Sequence, residues 1–415
     1  MAKKKKQAEK KFLVGVDIGT SKVVAIVGEV KPDNSVHVVG VGTSPSRGLK
    51  RGVVINIEST VNSIQRAVEE AELMAGCQIH SAYTGIAGSH IRSLNSHGIV
   101  AIRDQEVTQS DIDRVIDAAR AVAIPADQKI LHILPQEFII DNQDCIREPT
   151  GMSGVRLESK VHIVSGAVSA AQNIIKCVQR CGLQVNDIIL EQLASSYAVL
   201  SEDEKELGIC LVDIGGGTTD IAIFTDGAIR HTSVIPIAGD QVTNDIAVAL
   251  RTPTKNAEEL KKKFGCALIE MANVDETFEV SSVGNRPGRQ LSKRVLADVC
   301  EPRYDELFKL VRAEIRRSGF DDLLAAGVVL TGGASMITGA LELGERIFQA
   351  PVRLGIPENV TGLVDVVKTP ICATGIGLLI YGYQQEGEGR DKGFLDNGSL
   401  KGLWGKMKGW FTGNF

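Results

Sequence analysis

Between residues 12 and 43 the apolar side chains come in short runs, FLVGVDIG, KVVAIVGEV and SVHVVGVGT, broken by Gly19 to Ser21 and by Asp33-Asn34. Runs of this length between turn residues predict three strands in an antiparallel meander. The spacing then changes to helical in IESTVNSIQRAVEEAELMAG, where Ile57, Val61, Ile64, Val68 and Leu73 make an apolar stripe and Gly76 ends it. From 208 to 235 the same grammar returns as GICLVDIGGG, TTDIAIFTDG and AIRHTSVIPIA, with another helical run near Asp240. The chain is therefore expected to be internally duplicated.

Between the halves, residues 83 to 164 break this pattern with strand-like segments (YTGIAG, GIVAI, KILHIL, EFIID, KVHIV) and one helix opening at Thr108, with Asp111 three residues later. They are expected to form an inserted α+β subdomain. Helix, strand and helix are predicted over 168 to 201. Residues 241 to 325 are predicted mostly helical, with a polar, arginine-rich loop from Ser281 to Arg294, as a second inserted lobe. QQEGEGRDKGFLDNG (384 to 398) has glycine and mixed charge without periodicity, which predicts a flexible linker.

At 415 residues the chain is long enough for two or three domains, and 43% hydrophobic with 23% charged residues places it among folded globular proteins. A net charge of -5 argues against a broadly cationic nucleic-acid surface, so any anion site must be local. Eight scattered cysteines without a CxxC pair read as thiols of a reducing compartment, and none is assigned to a metal. MAKKKKQAEKKF lacks the apolar run of a secretion signal; its lysines read as a solvated tail, with contact to anionic lipid as the alternative. The longest apolar stretches, such as 371 to 383, fall short of the roughly 20 residues that cross a bilayer.

The chemistry sits at the turns. Asp17-Ile18-Gly19-Thr20-Ser21-Lys22 and Asp213-Ile214-Gly215-Gly216-Gly217-Thr218 each follow an apolar strand. Glycines let a tight hairpin present backbone N–H groups inward, so two such turns face to face can hold a polyphosphate, and an Asp at each strand end supplies hard oxygen for Mg²⁺. Neither turn is a GxxxxGK[ST] or a GxGxxG motif, which disfavours the P-loop and Rossmann readings. A third glycine turn, Thr331-Gly332-Gly333, joins a strand to a helix in VVLTGGASMITGALELGERIF and allows close approach of a flat ligand.

Three such turns in this order resemble the actin-like ATPase superfamily. Within it, PSRGLKRGVV, SGVRLESKVHIV, LASSYAVL, VDIGGGTTDIAIFTDGAIRHT and EPRYDEL are similar to the FtsA family of bacterial division proteins, over nearly all of residues 12 to 383 and the tail. The resemblance implies an α/β actin-like fold, two duplicated lobes around a nucleotide cleft with an inserted α+β subdomain in the first. The expected parts are a basic tail (1–11), a first core domain (12–82 and 165–207), the insert (83–164), a second core domain (208–240 and 326–383), the second inserted lobe (241–325), the linker and a terminal helix (399–415). It further implies that Asp17 and Asp213 are the Mg²⁺-side acids of an ATP site. Gly19, Thr20, Ser21 and Lys22 with Gly215, Gly216, Gly217 and Thr218 would hold the phosphates, and Glu258, Lys261, Gly332, Gly333 and Met336 would frame the adenosine. Glu191 stands where relatives such as MreB carry an acid that positions the attacking water, so hydrolysis, if any, is expected to be slow.

The implied function is an ATP-binding, filament-forming protein that anchors FtsZ to the cytoplasmic membrane at the septal Z ring. Among Arg286, Arg289, Lys293, Arg294 and Arg303 of the second inserted lobe, Lys293, Arg294 and Arg303 are the candidates for the FtsZ C-terminal peptide. If 399 to 415 is helical, Leu400, Leu403, Trp404, Met407, Trp410 and Phe411 share one face, with Lys401, Lys406 and Lys408 outside it. That face suits insertion at an anionic membrane surface, and docking on the protein's own surface is the alternative. A small-molecule kinase or phosphatase of the same superfamily would need a second acceptor site, for which no motif is found. A chaperone would need a substantial domain after Tyr383.

Overall fold

The computed structural model describes residues 11–31, 35–281, 288–358 and 360–391, without the side chains of 386–391. The meander is present as β1 (Phe12–Ile18), β2 (Lys22–Val30) and β3 (Val36–Pro45), antiparallel in sequence, followed by a small hairpin of β4 (Leu49–Lys50) and β5 (Val53–Val54). Helix α1 (Ile57–Ala75) is capped by Asn56, whose side chain accepts from the Ser59 amide, and ends at Gly76 in the left-handed conformation. Its buried face is Ile64, Ala67, Val68 and Ala71. Leu73, expected in that stripe, is 86% exposed. It lies five residues beyond Val68, about 140° further round the helix, outside the face that meets the sheet.

Strand β6 (Ser81–Ile86) pairs in parallel with β1, so YTGIAG belongs to the core sheet and the insert starts after it, later than the expected boundary at 83. A short apolar run buried on both faces carries no signal of which sheet it joins. The insert is β7 (Arg92–Ala101), α2 (Gln109–Arg120), β8 (Gln128–Ile140), β9 (Gln143–Ile146) and β10 (Arg156–Ala167), an antiparallel sheet in the order β7-β10-β8-β9. The Thr108–Asp111 capping box forms as expected, with the Thr108 amide donating to Asp111 Oδ2 at 2.9 Å. KILHIL and EFIID are one strand: Pro135, which has no N–H to give the ladder, falls at a register shift opposite Val161.

The chain returns through α3 (Val168–Arg180), β11 (Gln184–Leu190), α4 (Glu191–Val199) and α5 (Glu202–Leu207) into the second meander, β12 (Ile209–Ile214), β13 (Thr219–Thr225) and β14 (Ala228–Ile235). Next come α6 (Gly239–Leu250), α7 (Thr254–Phe264), the hairpin β15 (Thr277–Val280) and β16 (Arg289–Ser292), and the 26-residue α8 (Lys293–Ser318). Part of the expected arginine-rich loop is thus strand and helix start. The chain closes with β17 (Gly327–Thr331), a 3₁₀ turn at Gly333–Met336, α9 (Ala340–Phe348), β18 (Val352–Leu354), β19 (Thr361–Gly362), α10 (Val364–Val367) and α11 (Ala373–Asp391).

The duplication is visible in the sheets. The first runs β11-β6-β1-β2-β3-β19 and the second β18-β17-β12-β13-β14, each a meander with a parallel strand beside its first member. Helix α11 packs on one face of the first sheet, where a Cβ on Gly15 would come within 2.7 Å of the Gly375 carbonyl, and α1 on the other, against Gly42. This places the apolar stretch 371 to 383 in the core, with Ile376, Leu378 and Leu379 at 1% exposure or less. Among the described residues no helix is long and apolar enough to cross a membrane. Helix α11 continues to Asp391, so residues 384 to 391, expected as linker, are helical: 384 to 391 hold no proline, and a helix already nucleated in the core propagates residue by residue.

Candidate functional site

The two duplicated turns meet across a cavity of about 470 Å³ between the lobes. Its walls carry Asp17 and Gly19 to Lys22 from the β1–β2 turn, Asp213 and Gly215 to Thr218 from the β12–β13 turn, and Glu191 from the first turn of α4. Glu258 and Lys261 of α7 and Gly332, Gly333 and Met336 after β17 complete it. All sixteen residues expected at an ATP site therefore line one cavity, from segments up to 319 positions apart (Asp17 to Met336).

Local geometry explains the residue types. Gly332 has φ 83°, and a Cβ there would fall 2.4 Å from Asp213 Oδ1, so only glycine lets this turn close over the carboxylate. Ser21 Oγ donates to Asp240 Oδ1 at 2.9 Å, joining the first turn to the opposite lobe. Lys22 Nζ donates to the Ile371 carbonyl at 2.9 Å, ahead of α11. Glu258 pairs with Lys261 at 2.7 Å, and Lys261 also donates to the Gly239 carbonyl at 2.9 Å, which ties α7 to the start of α6. Burial works to raise the Glu258 carboxyl, but Lys261 and the Thr243 hydroxyl hold it below its ordinary value.

The floor is acidic. Ser195 donates to Asp213 Oδ2 at 2.6 Å, and Thr374 reaches the same oxygen at 3.4 Å. Burial nevertheless raises Asp213 above its ordinary range. Asp17 is pushed up to about 7 by burial, opposed by Lys22 and reinforced by Asp213. Glu191 is raised by burial and then by Asp17, Asp220 and Asp213. Burial lowers Lys22 in turn.

Asp220 is the residue the sequence reading missed. It faces Asp213 in the β12–β13 register, lines the cavity, and is pushed up to about 8 by burial and by Asp213. Thr218 Oγ1 donates to its Oδ2 at 2.9 Å, while its buried Oδ1 has no partner among the described residues. The signal was available, since directly opposed residues of a hairpin share a face and Asp213 and Asp220 flank a short turn. Among the described residues no group of three or more acids is placed to hold an ion by itself, so the fit to a hard divalent cation is that of one or two carboxylates completed by water and phosphate oxygens, with the Asp220 Oδ1 left unpartnered.

Two family models match the chain: "Cell division protein FtsA" over residues 210–377 and "SHS2 domain inserted in FTSA" over 88–165. The FtsA of Pseudomonas aeruginosa is 66% identical over 98% of both chains. That of Neisseria meningitidis serogroup B is 50% identical over 99% of this chain and 100% of its own. This chain belongs to the FtsA family of cell division proteins. Its role is accordingly in cell division.

Solved structures agree on the fold of this FtsA-family chain, which is that of the actin-like ATPases. A type IV pilus PilM–PilN complex aligns with TM-score 0.66 at 16% identity, covering 89% of this chain and 98% of that one. MreB5 of Spiroplasma citri bound to AMPPNP aligns with TM-score 0.55 at 15% identity, covering 92% and 99%.

The other expected sites fare differently. Lys293, Arg294 and Arg303 all lie on α8, but positions nine apart differ by about 180°, so Arg294 and Arg303 point to opposite sides. The three do not form one patch. Arg303 is bound to Asp245 at 2.7 Å and to Glu306, and Lys293 lies 3.3 Å from Glu276, while Arg294 is exposed. Arg289 donates to the Leu250 carbonyl. Arg286 and the tail residues Leu400, Leu403, Trp404, Met407, Trp410 and Phe411 lie outside the described residues.

Proposed function

We propose that this FtsA-family protein binds ATP with Mg²⁺ in the cleft between its lobes, assembles into filaments, and ties FtsZ to the cytoplasmic membrane through its C-terminal segment. The observation that carries the reading is the convergence of both acid-tipped glycine turns and the Gly332-Gly333 turn on one cavity. Backbone N–H groups of Gly19 to Ser21 and of Gly216 and Gly217 are the phosphate donors in this reading, the Gly215 amide being held by the Thr218 carbonyl at 3.0 Å, and Asp17 and Asp213, joined by Asp220, are the cation-side acids. The cation, when bound, neutralises the carboxylate cluster and the phosphate charge. The actin-like relative MreB5, solved with ADP and with AMPPNP, supports a nucleotide as the occupant.

Glu191 is buried among like charges, which together raise its carboxyl above the ordinary range, and in this reading it orients the attacking water of a slow hydrolysis. The FtsZ peptide belongs on the α8 side of the second lobe, where its carboxylates compete with Asp245 for Arg303. The tail's aromatic face and lysines suit an anionic lipid surface.

Calorimetry with ATP, with and without Mg²⁺, tests the cleft, and the absence of Mg²⁺-dependent binding overturns that assignment. Electron microscopy on lipid monolayers with ATP tests the rest. Filaments on the membrane are expected for the full chain and not for one ending at Asp396. Arg303→Glu is expected to weaken binding of the FtsZ C-terminal peptide while ATP affinity holds.

A further inference from the structure

The segment PSRGLKRGVV has no part in the site described so far, yet the tip of its β4–β5 hairpin reaches the cavity. Gly52 lines the cavity wall, and its amide donates to Thr20 Oγ1 at 3.0 Å. Arg51 holds φ 50°, a conformation that costs a non-glycine residue energy and marks a position held by its surroundings. Its Cα lies 3.0 Å from where a Cβ on Gly217 would stand, which sets the tip against both glycine turns at once. The Arg51 side chain is exposed and has no ion pair or hydrogen bond among the described residues.

The other side of the same tip touches the root of the inserted subdomain. A Cβ on Gly52 would meet the Ala87 carbonyl and Gly88 Cα at 2.9 Å, where the chain leaves β6 for the insert. A Cβ on Gly88 would lie 3.3 Å from the Arg51 carbonyl and 3.2 Å from His90 Nε2. His90 in turn reaches the returning strand β10, its Nδ1 being 3.4 Å from a Cβ position on Gly166. Both ring nitrogens of His90 are buried and unpartnered among the described residues, so the imidazole acts here as a spacer between the outgoing and returning strands.

We propose that the Arg51–Gly52 tip reads the terminal phosphate of a bound nucleoside triphosphate and passes its presence to the root of the inserted subdomain through Gly88 and His90. The inference rests on the nucleotide reading of the cleft. The guanidinium supplies a planar fork of donors that matches phosphate oxygens, and the Cα that carries it stands beside Gly217 of the second turn, one residue from the cavity wall at Gly52. Contacts without spare volume move together, so a tip drawn toward the phosphate shifts Ala87 and Gly88 and alters the seating of the insert on the first lobe.

The test uses the full chain with Mg²⁺ and saturating AMPPNP or ADP, read by hydrogen exchange and by competition binding. In the wild type, amides of residues 88–91 and 156–167 are expected to exchange about threefold more slowly with AMPPNP than with ADP. Arg51→Gln is expected to reduce the preference for AMPPNP over ADP about tenfold with ADP affinity unchanged, and Arg51→Lys to keep most of that preference. His90→Ala is expected to leave both affinities within about twofold while erasing the exchange difference. Equal exchange in the two bound states of the wild type overturns the inference, as does an unaltered preference in Arg51→Gln or a surviving exchange difference in His90→Ala. Failure of the wild type to bind either nucleotide overturns the reading of the cleft itself, and this inference with it.

Discussion

The two phosphate turns descend from the same hairpin pattern but are not interchangeable. The first has one glycine followed by Thr20 and Ser21; the second has three glycines in a row. Their packing explains the asymmetry. A Cβ on Gly216 would fall 1.9 Å from Ser21 Oγ, and one on Gly217 would fall 2.6 Å from Thr20 Oγ1. The hydroxyls of one turn occupy the space that side chains on the other would need. The acids differ as well: Asp213 is oriented by Ser195 and Thr374, whereas Asp17 has Lys22 nearby as its charge partner. The second turn is thus a fixed floor, and the first is a cover that carries the cross-cleft contacts.

The largest effect should come from the floor. Asp213→Ala removes a cation-side acid and leaves the buried Ser195 and Thr374 hydroxyls without their shared acceptor, paired only with each other, so Mg²⁺-dependent ATP affinity should fall about a hundredfold or more, against a smaller loss for Asp17→Ala. Calorimetry on the two variants checks the order, and equal losses would break the comparison. Next, Gly216→Ala should cost about 2 kcal/mol in the urea midpoint or an equivalent loss of affinity, and adding Ser21→Gly should recover most of it. A double mutant no better than the single one would show that the turns do not interdigitate.

Charge gives the third test. The carboxyls of Asp17 and Asp220 are raised from an ordinary 3.8 to about 7 and about 8, so the folded state binds protons that the unfolded state releases. Their contribution is fully present below about pH 4 and is lost as pH rises through 7 to 8. Metal-free protein should therefore lose several kcal/mol between pH 5 and 8 in urea titrations, with Mg²⁺ restoring stability most at the alkaline end. Asp220→Asn should flatten that slope. The smallest effect belongs to the cover: Ser21→Ala removes the exposed hydrogen bond to Asp240 and should weaken nucleotide binding only about threefold.

Much of this site could be read from residue order because its chemistry is local to turns. Asp17-Ile18-Gly19 and Asp213-Ile214-Gly215 announce themselves where apolar strands end. The misses have a common cause. Asp220 becomes an acid of the site only through its register with Asp213, and YTGIAG joins the core sheet only through pairing with β1. Leu73 fits a helical stripe on paper but points away from the sheet that defines the buried face.

Periodicity and turn chemistry, which act over a few residues, determine the meanders, the Gly76 end of α1, the Thr108 start of α2, the duplication and the glycine turns of the cleft, whereas Glu191, Glu258, Lys261 and Met336 entered only through the resemblance to the actin-like ATPases. What required tertiary structure was everything set by contact between distant segments. The bridging of Arg303 to Asp245, the burial that raises four carboxyls, and the wedging of Arg51 between Gly217 and Gly88 all depend on which surfaces meet. Those energies fall off within a few ångströms, a separation that residue number does not encode.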